Sequence, residues 1–445
     1  MIKIDPELIT VLAFGSMLVL LVTGLPVSFA LGGLAILFAI ILWGPEAVSI
    51  ILYSASEVQT MYLLVSVPLF IYTGLILQES GIADNLFDTI RKWASGLSGG
   101  LAVAVVGVCA IFAAMVGISG AATVAMGVIA LPAMLKRGYS KELAMGTIMA
   151  GGALGILIPP SICFVIYGIV AGQSIGQLFL SGIFPGLLLA FLFIIYILLR
   201  CYFQPQLGPA LAPEERGSWK EKIFSLKSLV VPIILIFIIM GLIVFGVTTP
   251  TESAAAGAIA VSLYSLINKR LNWSKFTQSL LSTTKITGMV GWIIIAAIAF
   301  GKIYAGLGAT QALSSLLKEA GLGPWGSLIL MQLSFIVLGC FLDDTAILYI
   351  AAPLYIPIVA SYGFSLVWWG TLYIMTTEMA FLTPPFGYNL FFMRGVAPKE
   401  ISTADIYRSV VPFVGLQGTG LAIVMAFPQI ALWLPNKLAQ QLFGG

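Results

Sequence analysis

Two proline pairs interrupt long apolar stretches of this chain, and they restrict its fold more than any other feature. Pro159-Pro160 follows the run 151–158, and Pro384-Pro385 stands in the run 376–389, which also contains Glu378. A proline inside a helix removes a hydrogen bond and breaks or kinks the helix. In a bilayer each unpaired backbone group costs several kcal/mol, so such a break must line a protein cavity. The sequence therefore predicts two broken helices around a cavity.

The composition supports a membrane environment for these stretches. Of 445 residues, 60% are hydrophobic and 9% are charged, whereas a soluble domain carries about 25% charged residues. This indicates a multi-pass membrane protein with no room for a soluble enzyme domain. The chain has no histidine, the residue that most often serves as a metal ligand and general base. We therefore expect that the protein is not an enzyme and has no organic cofactor.

The chain repeats its plan at a constant offset. Pro384 lies 225 residues after Pro159 (384 − 159), and Pro357 lies 225 residues after Pro132 (357 − 132). Each half also has a glycine-rich apolar stretch that reads as a re-entrant hairpin, 99–135 with its tip at Ser119 and 323–360 with its tip near 339–345. The predicted fold class is an all-α polytopic membrane protein with inverted structural repeats, two re-entrant hairpins and two broken helices, as in secondary transporters.

The positive-inside rule orients this fold. With the 201–228 loop in the cytoplasm, 17 of the 21 Lys and Arg residues are cytoplasmic. Ten full crossings and two periplasmic termini follow. The amphipathic segments 45–60, 82–96 and 309–320 are predicted to lie along the membrane surface as arms. Trp368, Trp369 and Tyr373 are predicted to form an interfacial aromatic belt.

Each hairpin tip and its helix break should bring oxygen atoms and half-helix ends to one point. Hydroxyl and carbonyl oxygens suit Na⁺, and helix N-termini suit an anionic substrate. The candidates are Ser119, Gly120, Gly155, Ile158 and Pro159 in the first half, and Gly339, Asp343, Asp344, Ala380, Thr383 and Phe386 in the second. The alternative is that these breaks are ordinary kinks relieved by neighbouring helices. Buried carboxylates mark ion paths or paired sites. For Glu378 a structural hydrogen bond to a freed helix end at the adjacent break is an equal alternative.

Five motifs together resemble one family. They are Leu-Ile-Pro-Pro at 157–160, Leu-Thr-Pro-Pro-Phe-Gly at 382–387, Gly-x-Phe-Leu-Asp at 339–343, Thr-Pro-Thr-Glu at 249–252 and Lys-Arg-Gly-Tyr at 136–139. Over essentially its whole length the chain resembles the large membrane (M) subunit of a TRAP (tripartite ATP-independent periplasmic) transporter.

The resemblance implies an elevator-type carrier in the bacterial inner membrane, driven by Na⁺ as the coupling ion. It also implies two partners, a periplasmic substrate-binding protein and a small four-helix membrane subunit, which we expect to be a separate chain. The expected function is sodium-gradient-driven uptake of a small organic acid. The alternative is a stand-alone sodium:dicarboxylate symporter of the divalent-anion type, but the Ser-Asn-Thr tripeptide of that family does not occur here.

The resemblance also assigns site residues. One sodium ion would be held by Ser119, Gly155, Ile158 and Pro159, and the other by Gly339, Ala380, Thr383 and Phe386. The substrate-binding candidates are Gly120, Asp343, Asp344, Glu378, Pro160, Pro385 and Asn389. The first tip has fewer serines than is common in the family, and Ala380 stands where a hydroxyl residue can occur.

The expected domain organisation follows the repeat. Scaffold helices and a first arm are expected at 1–98, and the first half of the transport domain at 99–172. Further scaffold helices, the linker and the second arm follow at 173–322. The second half of the transport domain is expected at 323–396, and a C-terminal helix at 397–445.

Overall fold

The computed structural model describes residues 5–94, 96–117, 119–210, 216, 218–309, 311–312, 315, 319, 321–340, 342, 344–385 and 387–443. Among these residues the secondary structure is helical throughout, with no β-strand. The fold is therefore all-α, as predicted. Two predicted site residues, Asp343 and Phe386, lie outside the described residues, as does most of the predicted arm 309–320.

The described residues of the first half of the chain form ten α-helices. They are α1 Pro6–Val22, α2 Val27–Phe38, α3 Ser49–Thr60, α4 Ser66–Glu79, α5 Ile82–Ala94, α6 Gly100–Val116, α7 Ser119–Lys136, α8 Lys141–Ala153, α9 Ile162–Ala171 and α10 Ile175–Phe203. Short 3₁₀ turns join some of them, at Pro45–Val48, Tyr62–Val65, Leu154–Ile156 and Pro205–Leu207.

The second half continues with eleven more described α-helices. They are α11 Trp219–Ser225, α12 Val230–Ile236, α13 Leu242–Val244, α14 Pro250–Ile267, α15 Trp273–Gly306, α16 Gly323–Gly339, α17 Asp344–Ser361, α18 Leu366–Ala380, α19 Tyr388–Val396, α20 Thr403–Ala426 and α21 Gln429–Phe443. Helices α11 to α13 are linked by the 3₁₀ turn Leu226–Leu229 and the π-helical turn Phe237–Gly241. Together they form one continuous apolar helical segment over Trp219–Val244.

The two broken helices begin in the same way. The Ser140 hydroxyl accepts a hydrogen bond from the Leu143 N–H at the start of α8, and the Ser365 hydroxyl accepts one from the Trp368 N–H at the start of α18. A serine at this position satisfies an N–H group that a helix end leaves free. The two caps are separated by the repeat offset (365 − 140 = 225), so the same local signal starts the same element in each half.

Six of the described helices are long and apolar enough to cross a membrane. They are Tyr62–Glu79, Ser119–Lys136, Ile175–Phe203, Trp219–Val244, Trp273–Gly306 and Thr403–Ala426. A seventh span is possible if the bent pair Asp344–Ala352 and Leu354–Ser361, at 58°, counts as one. The protein is therefore an integral multi-pass membrane protein, while ten crossings and the orientation of the termini stay predictions.

The prediction of an interfacial aromatic belt is wrong. Trp368, Trp369 and Tyr373 are 2%, 0% and 0% exposed. Their rings pack inside the bundle, where the Tyr373 centroid lies 4.9 Å from that of Phe335. The Trp368 indole N–H donates to the Val424 carbonyl at 3.0 Å. These side chains therefore join α18 to its neighbours in the core, because the amphipathic character of tryptophan also suits a buried position with a hydrogen-bond partner.

Candidate functional site

The tip of the first hairpin, α6 and α7, lies against the first helix break. Gly117 has a φ of +72°, and a Cβ atom at this position would lie 2.4 Å from the Pro160 carbonyl oxygen. The N–H of Ile162, at the start of α9, approaches the Gly117 carbonyl at 3.5 Å. Only glycine fits both this backbone conformation and this close approach. The glycine therefore brings the hairpin tip into direct contact with the break between α8 and α9.

This first break leaves carbonyl oxygens available. The Ser161 hydroxyl donates to the Ile156 carbonyl at 2.5 Å. Within the described ranges, no N–H or hydroxyl group donates to the carbonyls of Ile158 and Pro159. Both residues are buried, and a buried carbonyl normally has a partner. The break thus offers two oxygen atoms that a cation could bind.

The tip of the second hairpin, α16 and α17, approaches the end of α18 equally closely. A Cβ atom at Gly339 would lie 2.3 Å from the Cβ atom of Ala380. The Ala380 carbonyl accepts a hydrogen bond from the Thr383 N–H at 3.0 Å, and the Thr383 hydroxyl donates to the Met379 carbonyl at 2.9 Å. Since the hydroxyl donates its hydrogen bond in this way, the lone pairs of the Thr383 oxygen remain available to accept a hydrogen bond or to bind a cation.

Hydrogen bonds between the halves join each hairpin tip to the opposite broken helix. The Ser119 hydroxyl donates to the Asn389 side-chain oxygen at 2.8 Å. The Cys163 thiol donates to the Asp344 carboxylate. Ser119 and Asp344 are separated by the offset of the predicted repeat (344 − 119 = 225). Cys163 and Asn389 are each the second residue of the helix after a break. The two contacts are therefore counterparts.

Further bonds hold these counterparts in place. The Asn389 amide group donates to the Met149 carbonyl in α8 at 3.1 Å. The Tyr373 hydroxyl donates to the Asp344 backbone carbonyl, and the Thr345 N–H donates to the Asp344 carboxylate at 2.9 Å. Since buried polar networks of this kind fix side-chain positions, the two tips and two breaks form one connected unit.

A cavity of about 120 Å³, called the central cavity below, lies between this unit and the helices α4 and α15. It is lined by both tips, both breaks and two helices outside them, through Ile71, Gly117, Ser119, Gly120, Ile156, Ile162, Ile286, Met289, Val290, Asp344, Thr345, Phe381 and Tyr388. The cavity thus brings together three predicted site residues, Ser119, Gly120 and Asp344. The helices α7 and α17 start at its wall. A helix N-terminus such as that of α7 can bind an anion through its N–H groups, whereas the Thr345 N–H of α17 already donates to the Asp344 carboxylate.

Other predicted substrate residues do not line this cavity. Asn389 is fully buried and uses both ends of its side-chain amide. The Pro385 carbonyl accepts a hydrogen bond from the Tyr407 hydroxyl at 2.8 Å. Pro160 faces Gly117 through its carbonyl. These residues shape the tips and the breaks that surround the cavity.

Glu378 is fully buried, and one of its carboxylate oxygens accepts a hydrogen bond from the Gln417 amide at 3.1 Å. Its other oxygen has no partner among the described residues. This bond joins α18 to α20. The partner of Glu378 is therefore a side chain of another helix and not a freed helix end at the adjacent break, which the structural alternative names.

The sequence did not single out three residues that take part in these contacts. Cys163 reads as a small hydrophobic residue in an apolar run, Met289 lies in a long apolar helix, and Gln417 is a lone polar residue in α20. Only Gln417 carries a signal, because an uncharged polar residue in a membrane helix usually hydrogen-bonds to another helix.

Comparison with known proteins finds relatives that match nearly the whole chain. The "C4-dicarboxylate TRAP transporter large permease protein DctM" of Vibrio cholerae is 33% identical over 97% of this chain and 97% of its own length. The ectoine/5-hydroxyectoine TRAP large permease of Ruegeria pomeroyi is 31% identical over 95% and 97%. The isethionate TRAP permease protein DctMQ of Oleidesulfovibrio alaskensis is 30% identical over 94% of this chain but 65% of its own length.

A solved structure shares the fold. The YdaH transporter of Alcanivorax borkumensis, described as having an unusual topology, superposes with a TM-score of 0.63 over 97% of this chain and 98% of its own, at 15% sequence identity. The sequence model of a protein family matches residues 14–430, and that family is described as "Tripartite ATP-independent periplasmic transporter, DctM component". With this match and with relatives above 30% identity over nearly the whole length, the chain belongs to the DctM component family of tripartite ATP-independent periplasmic transporters.

Proposed function

We propose that this chain carries a small organic acid across the bacterial inner membrane, driven by a sodium gradient and supplied by a periplasmic binding protein. The observation that carries the proposal is the paired contact of hairpin tips with helix breaks around one cavity. In an elevator mechanism this unit would move as a body. The hydrogen bonds Ser119–Asn389 and Cys163–Asp344 support the proposal, because they connect the two halves of the unit.

We place one sodium ion at the first tip and break, with Ser119, Gly155, Ile158 and Pro159 as ligands. The free carbonyls of Ile158 and Pro159 favour this assignment, since Na⁺ prefers hard oxygen ligands and transporters often bind it with unwound backbone. The second ion would lie at Gly339, Ala380, Thr383 and Phe386. There the Thr383 hydroxyl oxygen is the side-chain ligand, and the close approach of Gly339 to Ala380 brings backbone near the same point.

The substrate would enter the central cavity with its acid group toward the N-terminus of α7, whose N–H groups and dipole attract an anion. The named substrates of two of the relatives, C4-dicarboxylates and isethionate, are acids of this kind.

Two partners complete the proposed transporter. The binding protein would deliver the substrate on the periplasmic side, and a small four-helix subunit would pack against the scaffold helices. The DctMQ relative is longer than this chain, which matches 65% of it. We propose that here the small subunit is a separate chain.

The test is reconstitution in vesicles with components left out one at a time. The chain is purified alone, with the small subunit, and with both partners, and uptake is measured for the labelled acid that the purified binding protein retains. We expect accumulation only with all three proteins. Full uptake by the chain alone would instead indicate a stand-alone sodium:dicarboxylate symporter.

A further inference from the structure

We propose a second carboxylate-binding site in a cavity of about 300 Å³ between α3, α9, α15 and α17, outside the central cavity. This inference rests on the proposed function, because it assigns the site to the same organic acid on its way to the centre. The cavity is lined by Glu57 of α3, Lys302 of α15, Tyr349 of α17 and the apolar side chains of Ile169, Val170 and Ile298.

Lys302 is the one cationic residue among those lining this cavity in the described part of the chain. Its ammonium group forms an ion pair with the Glu57 carboxylate, and the two side chains are 43% and 45% exposed. An ion pair that is half exposed contributes only about 0–1 kcal/mol. An ammonium group has three donors, so an incoming carboxylate can bind Lys302 beside Glu57 or in its place.

Tyr349 supplies the second donor. It is 2% exposed, and its hydroxyl has no hydrogen-bond partner among the described residues. A buried polar group without a partner costs about 1–3 kcal/mol, and such groups in a native structure call for an explanation. A carboxylate that accepts hydrogen bonds from both Tyr349 and Lys302 would satisfy this hydroxyl, and the aliphatic wall would pack against the carbon chain of the acid.

The position of this cavity suits a staging site. Asp344 and Thr345, at the start of α17, line the central cavity, and Tyr349 follows four residues after Thr345 on the same helix. At 1.5 Å per residue, the step from Thr345 to Tyr349 is about 6 Å along the helix axis. An acid bound at Lys302 would therefore lie close to the central cavity, on the side where α3 lies.

The test measures protection of single lysines in the purified full chain, with acetate and succinate as the probes. The protein in detergent is treated with an amine-acylating reagent at rising probe concentration and constant ionic strength, made up with chloride. Modification of each lysine is then read by mass spectrometry. Lys275 is the matched control, because it lies on the same helix, pairs with Glu79 at 2.8 Å and is 38% exposed.

We expect saturable protection of Lys302 by at least one probe and no change at Lys275. Tyr349→Phe should raise the half-protecting concentration about tenfold, as for one lost hydrogen bond to a charged group. Glu57→Gln should lower it about two- to fivefold, because the competing carboxylate is gone. Equal behaviour of the two lysines, or protection that neither substitution alters, would overturn the site. The readout involves no uptake, so it stands or falls separately from the proposed function.

Discussion

The Ser119 hydroxyl and the Asn389 side-chain oxygen lie 2.8 Å apart and join the first hairpin tip to the helix after the second break. Asn389 is fully buried, and its amide group also holds the Met149 carbonyl at 3.1 Å. One asparagine thus fixes a hairpin tip, a broken helix of the first half and a broken helix of the second half. Because the Ser119 hydroxyl donates its hydrogen bond to Asn389, the lone pairs of the Ser119 oxygen remain available to bind a cation.

We expect Asn389→Leu to weaken sodium dependence as well as stability. The substitution leaves the Ser119 hydroxyl without its acceptor, at a cost of about 1–3 kcal/mol for a buried unpaired group. A double-mutant cycle with Ser119→Ala should give a coupling energy of about 0.5–1.5 kcal/mol. The measurements are thermal unfolding and the sodium concentration for half-maximal uptake.

Ser181→Ala is the matched control for that cycle. The Ser181 and Thr371 hydroxyls form another buried hydrogen bond of 2.8 Å, away from both tips. The control should lose a similar amount of stability while its sodium dependence stays that of the wild type. Equal sodium shifts in Asn389→Leu and Ser181→Ala would remove Asn389 from any specific role at the tip.

Thr383→Val tests the second sodium site. Valine keeps the volume of threonine and removes the oxygen. Losing one ligand of a buried cation should cost about 1–3 kcal/mol, which raises the sodium concentration for half-maximal uptake about 5- to 150-fold. Thr377→Val is the control, because the Thr377 hydroxyl makes the same bond to the carbonyl four residues earlier, at 3.0 Å. If Thr383→Val leaves the sodium concentration for half-maximal uptake unchanged at equal expression, Thr383 is not a sodium ligand and the site has only backbone ligands.

Gly339→Ala should separate the second hairpin tip from its break. The added Cβ atom would lie 2.3 Å from the Ala380 Cβ atom, well inside van der Waals contact, so the tip must shift. We expect at least tenfold slower uptake, since misplacement by about 1 Å in a site of this kind costs up to about a hundredfold. Gly395→Ala, at a helical position with nothing within 4 Å of the added atom, should keep wild-type uptake. Unchanged uptake in Gly339→Ala would mean that this contact is not needed for transport.

The positions of the helix breaks and hairpin tips could be predicted from the sequence, because proline pairs and glycines act locally on the backbone. The breaks at 157–161 and 381–385 fall where the proline pairs stand, and α6 ends at Val116, three residues before the predicted first tip at Ser119. The serine caps of α8 and α18 are local in the same sense. The constant offset predicts a second copy of each element.

The partners of the site residues could not be predicted, because they depend on tertiary packing. Nothing local relates Cys163 to Asp344, which is 181 residues away, or Ser119 to Asn389, 270 residues away. The prediction of an interfacial belt for the aromatic residues of α18 was wrong for the same reason. Tryptophan and tyrosine near a helix start suit either an interface or a core position with a partner, and only the packing against Phe335 and Val424 distinguishes the two.

The proposed orientation predicts opposite labelling of two engineered cysteines in intact cells. A cysteine in place of Ser218, in the basic linker, should resist a membrane-impermeant thiol reagent, and one in place of Asn436, in α21, should react. The natural cysteines Cys109, Cys163 and Cys201 are buried, and the unsubstituted protein measures the background from Cys340. The reverse pattern would contradict periplasmic termini.

The dependence of accumulation on the direction of the sodium gradient tests the central claim most directly. Vesicles containing this chain and both partners are prepared with sodium outside, with sodium inside, or with sodium equal on both sides, and potassium balances the ionic strength. If sodium drives the carrier through the two tip-and-break sites, the labelled acid should accumulate above its external concentration only with the inward gradient. Equal accumulation under all three conditions would contradict sodium coupling.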